Sequence, residues 1–173
     1  MTQRLAMATL LTAASSELGR ELAAHLQHRA GINAPPLRLT DRQPAGGETT
    51  HCELDHTEAT DRLLAGVKTL VHLEPALVDD DAAAATDPDG WLDACTRITY
   101  NLLLAAQSAG VAHVLLLSRL DVLSNLEAGL HPSVIQPDWR PRPSVALGSL
   151  GPHLAEFTAR KYTSRCYGFS RSF

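Results

Sequence analysis

The chain has 173 residues, with 15 Lys and Arg against 19 Asp and Glu, so its formal net charge is −4. This length predicts one domain with a hydrophobic core and leaves no room for a second full domain. A hydrophobic content of 45% with 20% charged residues excludes disorder as the main state. A mildly acidic chain without a Lys/Arg cluster has little positive charge to release phosphate counterions, so nucleic acid is not an expected partner.

The cysteines and the apolar runs bear on the compartment. Cys52, Cys95 and Cys166 are far apart, odd in number and free of any CxxC pair, which is typical of a reducing cytoplasm rather than a disulfide framework. No apolar run reaches the roughly 18 residues of a membrane helix. Leu5–Ala14 could be the core of a secretory signal, but only Arg4 precedes it, and its short length favours a buried first strand.

Short apolar runs alternate with helical patterns in the first half of the chain. Leu18, Leu22 and Leu26 recur every four residues and mark one face of a helix. Thr57 suits the N-cap of a shorter helix, and Gly66 suits its end. The predicted elements are strand Leu5–Thr12, helix Ser16–Ala30, strand Leu37–Thr40, a weak strand Cys52–Leu54, helix Thr57–Ala65 and strand Thr69–Leu73.

The second half opens with an acidic, Ala-rich segment, Glu74–Asp87, that we predict to be a solvated loop. Asp87 and Pro88 then start the clearest helix, because Asp caps a helix and Pro suits its first position, and Gly110 ends it. Four prolines between Leu120 and Ser144 predict an irregular segment. The remaining predictions are a buried strand Val114–Ser118, a helix Ser149–Lys161 and an edge strand Arg165–Phe169.

Strand–helix alternation with short, continuously apolar strands predicts a parallel sheet covered on both faces. Right-handed crossovers then give a doubly wound, mostly parallel Rossmann-like sheet in three α/β/α layers, as one domain over residues 1–173. Ligands of such sheets bind beyond the carboxyl ends of the strands. The residues that follow each strand are therefore the candidate site residues.

The turn after the first strand is the first of these positions. A dinucleotide site has glycines here for the tight turn, for the approach of the backbone to the pyrophosphate and for helix packing. Gly19 occupies the packing position, but Ala13 and Ser16 occupy the other two. A Cβ where φ is positive costs about 1–2 kcal/mol. The helix N-terminus still offers N–H groups, and the hydroxyls of Ser15 and Ser16 add donors.

The second position is Asp41, which ends the second strand 22 residues after Gly19. An acidic residue about 20 residues beyond the glycine motif holds the adenosine ribose hydroxyls. Such a carboxylate favours NAD over NADP because it repels a 2′-phosphate, although the neighbouring Arg42 weakens that preference. Asp41 could equally be a turn residue, since Asp favours turns.

Five segments follow each other in register: TAASSELG, LRLTDR, CELDHTE, GVKTLVHLEP and YNLLLAAQSAGVAHVLLLS. Together they resemble the extended short-chain dehydrogenase/reductase family, the NAD-dependent epimerase/dehydratases. That family carries TGxxGxxG, an Asp after strand two, turns after strands three and four, an N-L-L-x-A-A helix and a strand ending in serine. The match runs from Leu5 to Ser118, and more loosely to Tyr167.

The resemblance implies an NAD-binding domain, with NADP a weaker candidate. It places Asp41 at the adenosine ribose, Leu54 and Asp55 beside the adenine, and the backbone of residues 71–73 along the cofactor. The candidate cofactor-binding residues are Thr12, Ala13, Ser15, Ser16, Leu18, Gly19, Asp41, Arg42, Leu54, Asp55, His72 and Leu73.

The catalytic positions depart from the family, whose redox members use a Tyr-x-x-x-Lys pair. The chain contains no such pair, and aligning Glu156 with the family's glutamate places Gly148 and Pro152 at the two positions. Ser118, at the end of strand five, is the only catalytic candidate that matches. Without an acid/base group a rate factor of about 10²–10⁴ is lost, so we expect absent or low turnover. We also expect the chain to lack the family's C-terminal substrate-binding portion.

Two further features have a plain and a functional interpretation. The eight histidines include no HxxxH or HxH pair, so surface histidines are expected rather than a metal site.

The helix after Pro88 is apolar on more than one face, which indicates either burial on the sheet or a dimer seam. By the resemblance, a homodimer would form through the helices Pro88–Gly110 and Ser149–Lys161.

Three functions stay open at this point. The chain resembles an NAD-dependent epimerase/dehydratase that acts on a nucleotide sugar or a related carbonyl or alcohol substrate. It could instead be a non-catalytic Rossmann-like interaction or regulatory domain, or an inactive truncated relative. We favour an NAD-binding fold with absent or very low turnover, in the cytoplasm.

Overall fold

Five strands form a single parallel sheet in the order β3-β2-β1-β4-β5. The computed structural model describes residues 7–29, 34–44, 46–73, 86–123, 125 and 140–166, with side chains up to residue 162. The strands are β1 (Ala8–Leu11), β2 (Leu37–Asp41), β3 (Thr49–His51), β4 (Val67–Leu73) and β5 (His113–Leu117). The helices are α1 (Glu17–Arg29), α2 (Glu58–Leu64), α3 (Pro88–Ser108) and α4 (Leu147–Cys166), and a 3-10 turn spans Leu120–Leu123.

Helices cover both faces of this sheet, which gives the predicted three-layer Rossmann-like fold. Consecutive strand residues point to opposite faces, and the fully buried Leu10 and Leu11 belong to two different core clusters. The cluster of Leu10 includes Leu64 of α2 and Leu102 of α3. The cluster of Leu11 includes Ala23 of α1. The predicted fold class is therefore confirmed.

The helix ends follow the signals in the sequence. The Asp87 side chain caps α3 by accepting a hydrogen bond from the Gly90 N–H at 3.1 Å. Gly66 and Gly110, the predicted ends of α2 and α3, have φ values of +74° and +72°, a conformation that glycine adopts without a steric penalty. Thr57 is the N-cap of α2, but its side chain makes no capping hydrogen bond. The predicted position of the N-cap is therefore confirmed, without a side-chain capping bond.

Two strand predictions need correction. The third strand is Thr49–His51 rather than Cys52–Leu54, because it pairs with Leu39–Asp41 of β2 and the chain then turns through Leu54. Val114–Ser118 was predicted as buried, but β5 is at one end of the five described strands, where Val114 is 41% and Leu115 50% exposed. The apolar run predicts a strand, but it does not show how many other strands will pair with that strand, because this depends on the tertiary structure.

The helix α1 buries a different stripe from the predicted one. Its buried residues are Gly19 and Ala23, whereas Leu18 is 38% exposed. This stripe is buried because α1 approaches the preceding turn closely at Gly19, so the helix face that carries Gly19 packs against the protein. Leu22 and Leu26 are partly buried beside that stripe.

The helix α4 is longer than predicted and extends through Cys166, so the expected strand is wrong at Arg165 and Cys166. The rest of that strand, residues 167–169, lies outside the described residues, as do residues 74–85 of the predicted loop and residues 126–139 of the Pro-rich segment. The start of the first strand, at residues 5 and 6, does so too.

The apolar residues of α3 are mostly buried within the chain itself. Leu102, Leu103, Ala105 and Ala106 are all at most 6% exposed. Of the two interpretations of this apolar helix, burial within the chain is therefore confirmed for most of its apolar surface. Within the ranges that the structure covers, no helix is both long enough and apolar enough to cross a membrane.

Candidate functional site

A crevice of about 240 Å³ opens where β1, β2 and β4 end, at the edge of the sheet where a ligand was expected. Nine of the twelve candidate residues line it, and two others that the sequence did not indicate, Gln43 and Ile98, complete the wall. The nine are Thr12, Ala13, Ser15, Ser16, Asp41, Arg42, Leu54, His72 and Leu73.

The backbone around this crevice is strained at two points. Ala13 has a φ of 49° and Leu54 a φ of 58°, and they are the two non-glycine residues with positive φ in the described part of the chain. Each costs about 1–2 kcal/mol. Leu54 is held by burial of its side chain and by the Asn101 amide, which donates to its carbonyl at 3.3 Å. Strained backbone that packing holds in place is common at ligand sites.

Asp41 is the buried acidic group of the crevice, at 8% exposure. Its Oδ2 accepts from the Ser15 backbone N–H at 3.0 Å and from the Ser15 hydroxyl, and its Oδ1 accepts from the Gln43 N–H at 3.1 Å. Burial favours the neutral acid, but these hydrogen bonds, with one from the Arg42 backbone, hold the pKa of Asp41 below its ordinary value. The carboxylate is therefore charged at neutral pH.

Most polar groups of the turn between β1 and α1 form hydrogen bonds within the chain. The Ser16 hydroxyl donates to the Ala13 carbonyl at 2.7 Å and accepts from the Gly19 N–H at 3.0 Å. The amides of Ala14, Ser15 and Ser16 donate to the Thr40 carbonyl, the Asp41 carboxylate and the Ala13 carbonyl. Four amides from Ala14 to Gly19 are thus bonded within the chain.

Gly19 lies beneath this turn rather than in the crevice wall. A Cβ built on it would lie 2.1 Å from the Ala13 carbonyl oxygen and 2.9 Å from the Ala14 Cα. Real Cβ atoms do not approach backbone atoms so closely, so only glycine fits. The third glycine position of the motif is therefore needed for helix packing, as the sequence predicted.

His72 is buried between the ends of two strands and α3, at 3% exposure. Its Nδ1 lies 2.9 Å from Thr12 Oγ1 and its Nε2 lies 3.3 Å from Thr99 Oγ1. Thr99 donates its own proton to the Cys95 carbonyl and so accepts from Nε2–H, while Thr12 accepts from the Leu73 N–H and can donate to Nδ1. These partners fit a neutral imidazole with its proton on Nε2.

Arg42 supplies the positive charge on the wall of the crevice. Burial, together with this charge, lowers the pKa of His72 to about 3. His72 is therefore neutral across the physiological pH range and joins Thr12, at the end of β1, to Thr99 of α3.

Three candidates lie outside the wall of the crevice: Leu18, Gly19 and Asp55. The Asp55 carboxylate forms an ion pair with Arg97 of α3 at 3.0 Å. Leu54, the residue before it, lines the crevice instead because its backbone turns there. Of the two residues that were expected beside the adenine, Leu54 thus lines the crevice and Asp55 does not.

The family's catalytic positions lie apart from the crevice wall. Gly148 and Pro152 are both in α4, and Pro152 is fully buried. The Ser118 hydroxyl is buried and finds no hydrogen-bond partner among the described residues. None of these three residues lines the crevice. The described ranges also contain no cluster of three His, Cys, Asp or Glu residues that could hold a metal ion.

The crevice suits the two ends of a dinucleotide unequally. A charged carboxylate beside apolar Leu54 and Ile98 fits a ribose and its base. At the turn, where a pyrophosphate needs free N–H groups and no Cβ, the amides are largely bonded and Ala13 carries a Cβ. The residues fit the nucleoside end and do not fit the diphosphate.

No protein-family model and no curated protein matches the chain. Solved structures do. One is a short-chain dehydrogenase/reductase superfamily protein from Agrobacterium tumefaciens with bound NAD, with a TM-score of 0.71 and 24% identity over 90% of this chain and 44% of that one. Another is MoeE5 in complex with UDP-glucuronic acid and NAD, with a TM-score of 0.69 and 21% identity over 91% of this chain and 50% of that one.

A third is DesIV, a dTDP-glucose 4,6-dehydratase from Streptomyces venezuelae with NAD and TYD bound, with a TM-score of 0.68 and 20% identity over 94% of this chain and 53% of that one. The chain spans about half the length of these matched structures. The chain has the Rossmann-like fold of these NAD-bound dehydrogenase and dehydratase structures.

Proposed function

We propose that this chain is a single NAD-binding domain, related to the NAD-dependent epimerase/dehydratases, and that it turns over little or no substrate by itself. The observation that carries the proposal is the buried, charged Asp41 at the end of β2, which shares one crevice with the β1–α1 turn. In a Rossmann-like sheet this is the position that meets the adenosine ribose. Bound NAD in the matched structures supports the same ligand here.

The proposed absence of turnover rests on side-chain chemistry. Neither Gly148 nor Pro152 can transfer a proton, and the chain has no Tyr-x-x-x-Lys pair. Ser118 alone cannot replace an acid/base pair of suitable pKa. If substrate is bound, the matched structures favour a nucleotide sugar, since MoeE5 is in complex with UDP-glucuronic acid and DesIV is a dTDP-glucose 4,6-dehydratase.

Titration with NAD tests the ligand. A ligand at 100 times its Kd stabilises the folded state by about 2.7 kcal/mol, so we expect NAD to raise the thermal midpoint of the purified chain. Asp41→Ala should abolish the shift, whereas Asp61→Ala, an exposed acid on α2, should keep it. No shift of the unsubstituted chain at millimolar NAD would refute the proposal.

Turnover is tested separately. The chain is incubated with NAD and UDP-glucose, UDP-glucuronic acid or dTDP-glucose. The sugar nucleotide is then analysed by chromatography and NADH by its fluorescence, because an epimerase or a dehydratase returns its hydride to the sugar and leaves no net NADH. We expect neither an altered sugar nucleotide nor NADH above the rate without protein. Either product, if it depends on the chain and disappears in Asp41→Ala, would overturn the proposed inactivity while leaving NAD binding intact.

The second candidate is an interaction role, which exposed aromatic residues on the outer helices favour. Tyr100 of α3 is 48% exposed and Phe157 of α4 is 50% exposed. Exposed apolar surface marks interaction sites when it is contiguous, so we propose a homodimer that joins these side chains through α3 and α4. Light scattering should show a dimer that Tyr100→Glu with Phe157→Glu converts to a monomer. A monomeric unsubstituted chain would contradict it.

We also propose the cytoplasm as the compartment. Support comes from Cys52 and Cys95, which are buried free thiols. Reducing conditions keep such thiols free. Fractionation of cells that express the chain tests the proposal.

A further inference from the structure

The hydrogen bonds of the β1–α1 turn determine which part of a nucleotide can contribute to binding. A dinucleotide is held at its diphosphate by N–H groups at a helix N-terminus. In this chain the Ser16 hydroxyl accepts from the Gly19 N–H, and the Ser15 N–H is bonded to Asp41. A diphosphate that used these two amides would have to displace their bonds, and it would meet the Ala13 Cβ and the Ser16 side chain. It would therefore gain less net free energy than at a turn with glycines.

The part of the crevice around Asp41 offers an acceptor instead of donors. Asp41 presents a charged carboxylate, whose oxygens ribose hydroxyls would share with Ser15 and Gln43, and the apolar residues Leu54, Leu73 and Ile98 belong to the same lining. A carboxylate accepts hydrogen bonds from two adjacent ribose hydroxyls, and an apolar wall packs against a base.

We infer that the crevice recognises the nucleoside half of its ligand, and that the diphosphate and the second nucleoside of NAD add little affinity. This inference rests on the proposed function and names the part of the ligand that the site recognises. It follows from Ser16 and Ala13 standing where a phosphate cradle has glycines. The ligand class is accordingly nucleosides and nucleotides in general, with the adenosine of the proposed NAD ligand as the example to test.

Calorimetric titration of the full chain with adenosine, ADP and NAD tests the inference. We expect the three dissociation constants to agree within about threefold, because all three ligands share the recognised group. If NAD binds about tenfold or more tightly than adenosine, the inference is wrong and the proposed NAD binding stands. If none of the three binds, both fail.

A turn with its glycines restored provides the matched comparison. Ser16→Gly frees the Gly19 N–H, and glycine at an N-cap costs only a few tenths of a kcal/mol relative to serine. In Ala13→Gly with Ser16→Gly, we expect the NAD affinity to rise about tenfold and the adenosine affinity to stay the same. Ser108→Gly, at the distant end of α3, should change neither. An equal change for both ligands, or no change for NAD, would refute the assignment.

Discussion

The backbone N–H of Ser15 lies 3.0 Å from Oδ2 of Asp41, and the Ser15 hydroxyl donates to the same oxygen. These bonds join the turn after β1 to the end of β2. The carboxylate that we assign to a ligand ribose thus also fixes the shape of the turn beside it. A change at either residue should alter both stability and binding.

Ser15→Ala should lower the free energy of unfolding at neutral pH by about 1–3 kcal/mol, because it removes a hydrogen bond to a charged group. It should also raise the pKa of Asp41. That pKa is depressed in the folded state, so the stability it contributes is present above the unfolded-state pKa and is lost as the pH falls through the folded-state value. The loss caused by Ser15→Ala should therefore shrink in acid.

Urea unfolding at neutral pH and below about pH 3 measures this difference. Ser108→Ala is the control, since its exposed hydroxyl donates to the Leu104 carbonyl and touches no acid. An equal loss at both pH values would show that Ser15 stabilises the turn without acting on the Asp41 charge.

His72 should make the stability of the chain depend on pH. Its pKa is about 3 in the folded state against an ordinary 6.5, so the unfolded chain binds one more proton between those values. Stability from this group is complete above about pH 6.5 and falls as the pH drops toward 3, by at most about 1.4 kcal/mol per pH unit.

His72→Asn should flatten the dependence of the free energy of unfolding on pH. The variant should also be less stable at every pH, because asparagine fits imperfectly between Thr12 and Thr99. His25→Asn, an exposed change on α1, should leave the slope unchanged. Denaturant midpoints across this pH range provide the measurement. A slope that survives in His72→Asn would show that other groups produce it.

Gly19→Ala should destabilise the chain by about 1–3 kcal/mol, as overpacking does, despite the better helix propensity of alanine. The added Cβ would lie 2.1 Å from the Ala13 carbonyl oxygen, so α1 must move away from the turn. Gly46→Ala is the control, because a Cβ there has nothing within 4 Å. Thermal unfolding distinguishes them, and equal midpoints would contradict the close contact.

Ala13→Gly should leave the free energy of unfolding unchanged or raise it. It removes about 1–2 kcal/mol of strain at positive φ, against about 0.4–1 kcal/mol of added unfolded-chain entropy. Ala24→Gly, an exposed change in α1 with ordinary helical geometry, should instead cost about 1 kcal/mol. A loss as large at Ala13 as at Ala24 would show that the turn carries no strain.

Local signals account for what the sequence predicted well. The Asp87 cap, Gly66 and Gly110 act within a few residues of their own position, so their effects are visible in sequence. Asp41 at the end of a strand was predicted for the same reason. The positions that failed depend on partners far along the chain, such as Thr49–His51, which became a strand by pairing with β2.

The composition of the crevice shows the same division. Ile98 was missed because it belongs to a helix that reaches the strand ends only after the chain has folded. Nothing in the sequence marked Gln43 as a site residue. It lies in the crevice wall, where its backbone N–H donates to Asp41. Asp55 was expected beside the ligand, whereas its carboxylate forms an ion pair with Arg97 outside the crevice wall.

The order of residues alone specified alternating strands and helices, the turn at Ala13 and the acid at Asp41, since propensity, capping and spacing are properties of short segments. Packing in three dimensions decided that β5 is at one end of the five described strands, that Ser15 and Ser16 bond within the turn, and that His72 is neutral. Burial and hydrogen bonding between distant segments arise only when those segments meet, and they control which groups remain available to a ligand.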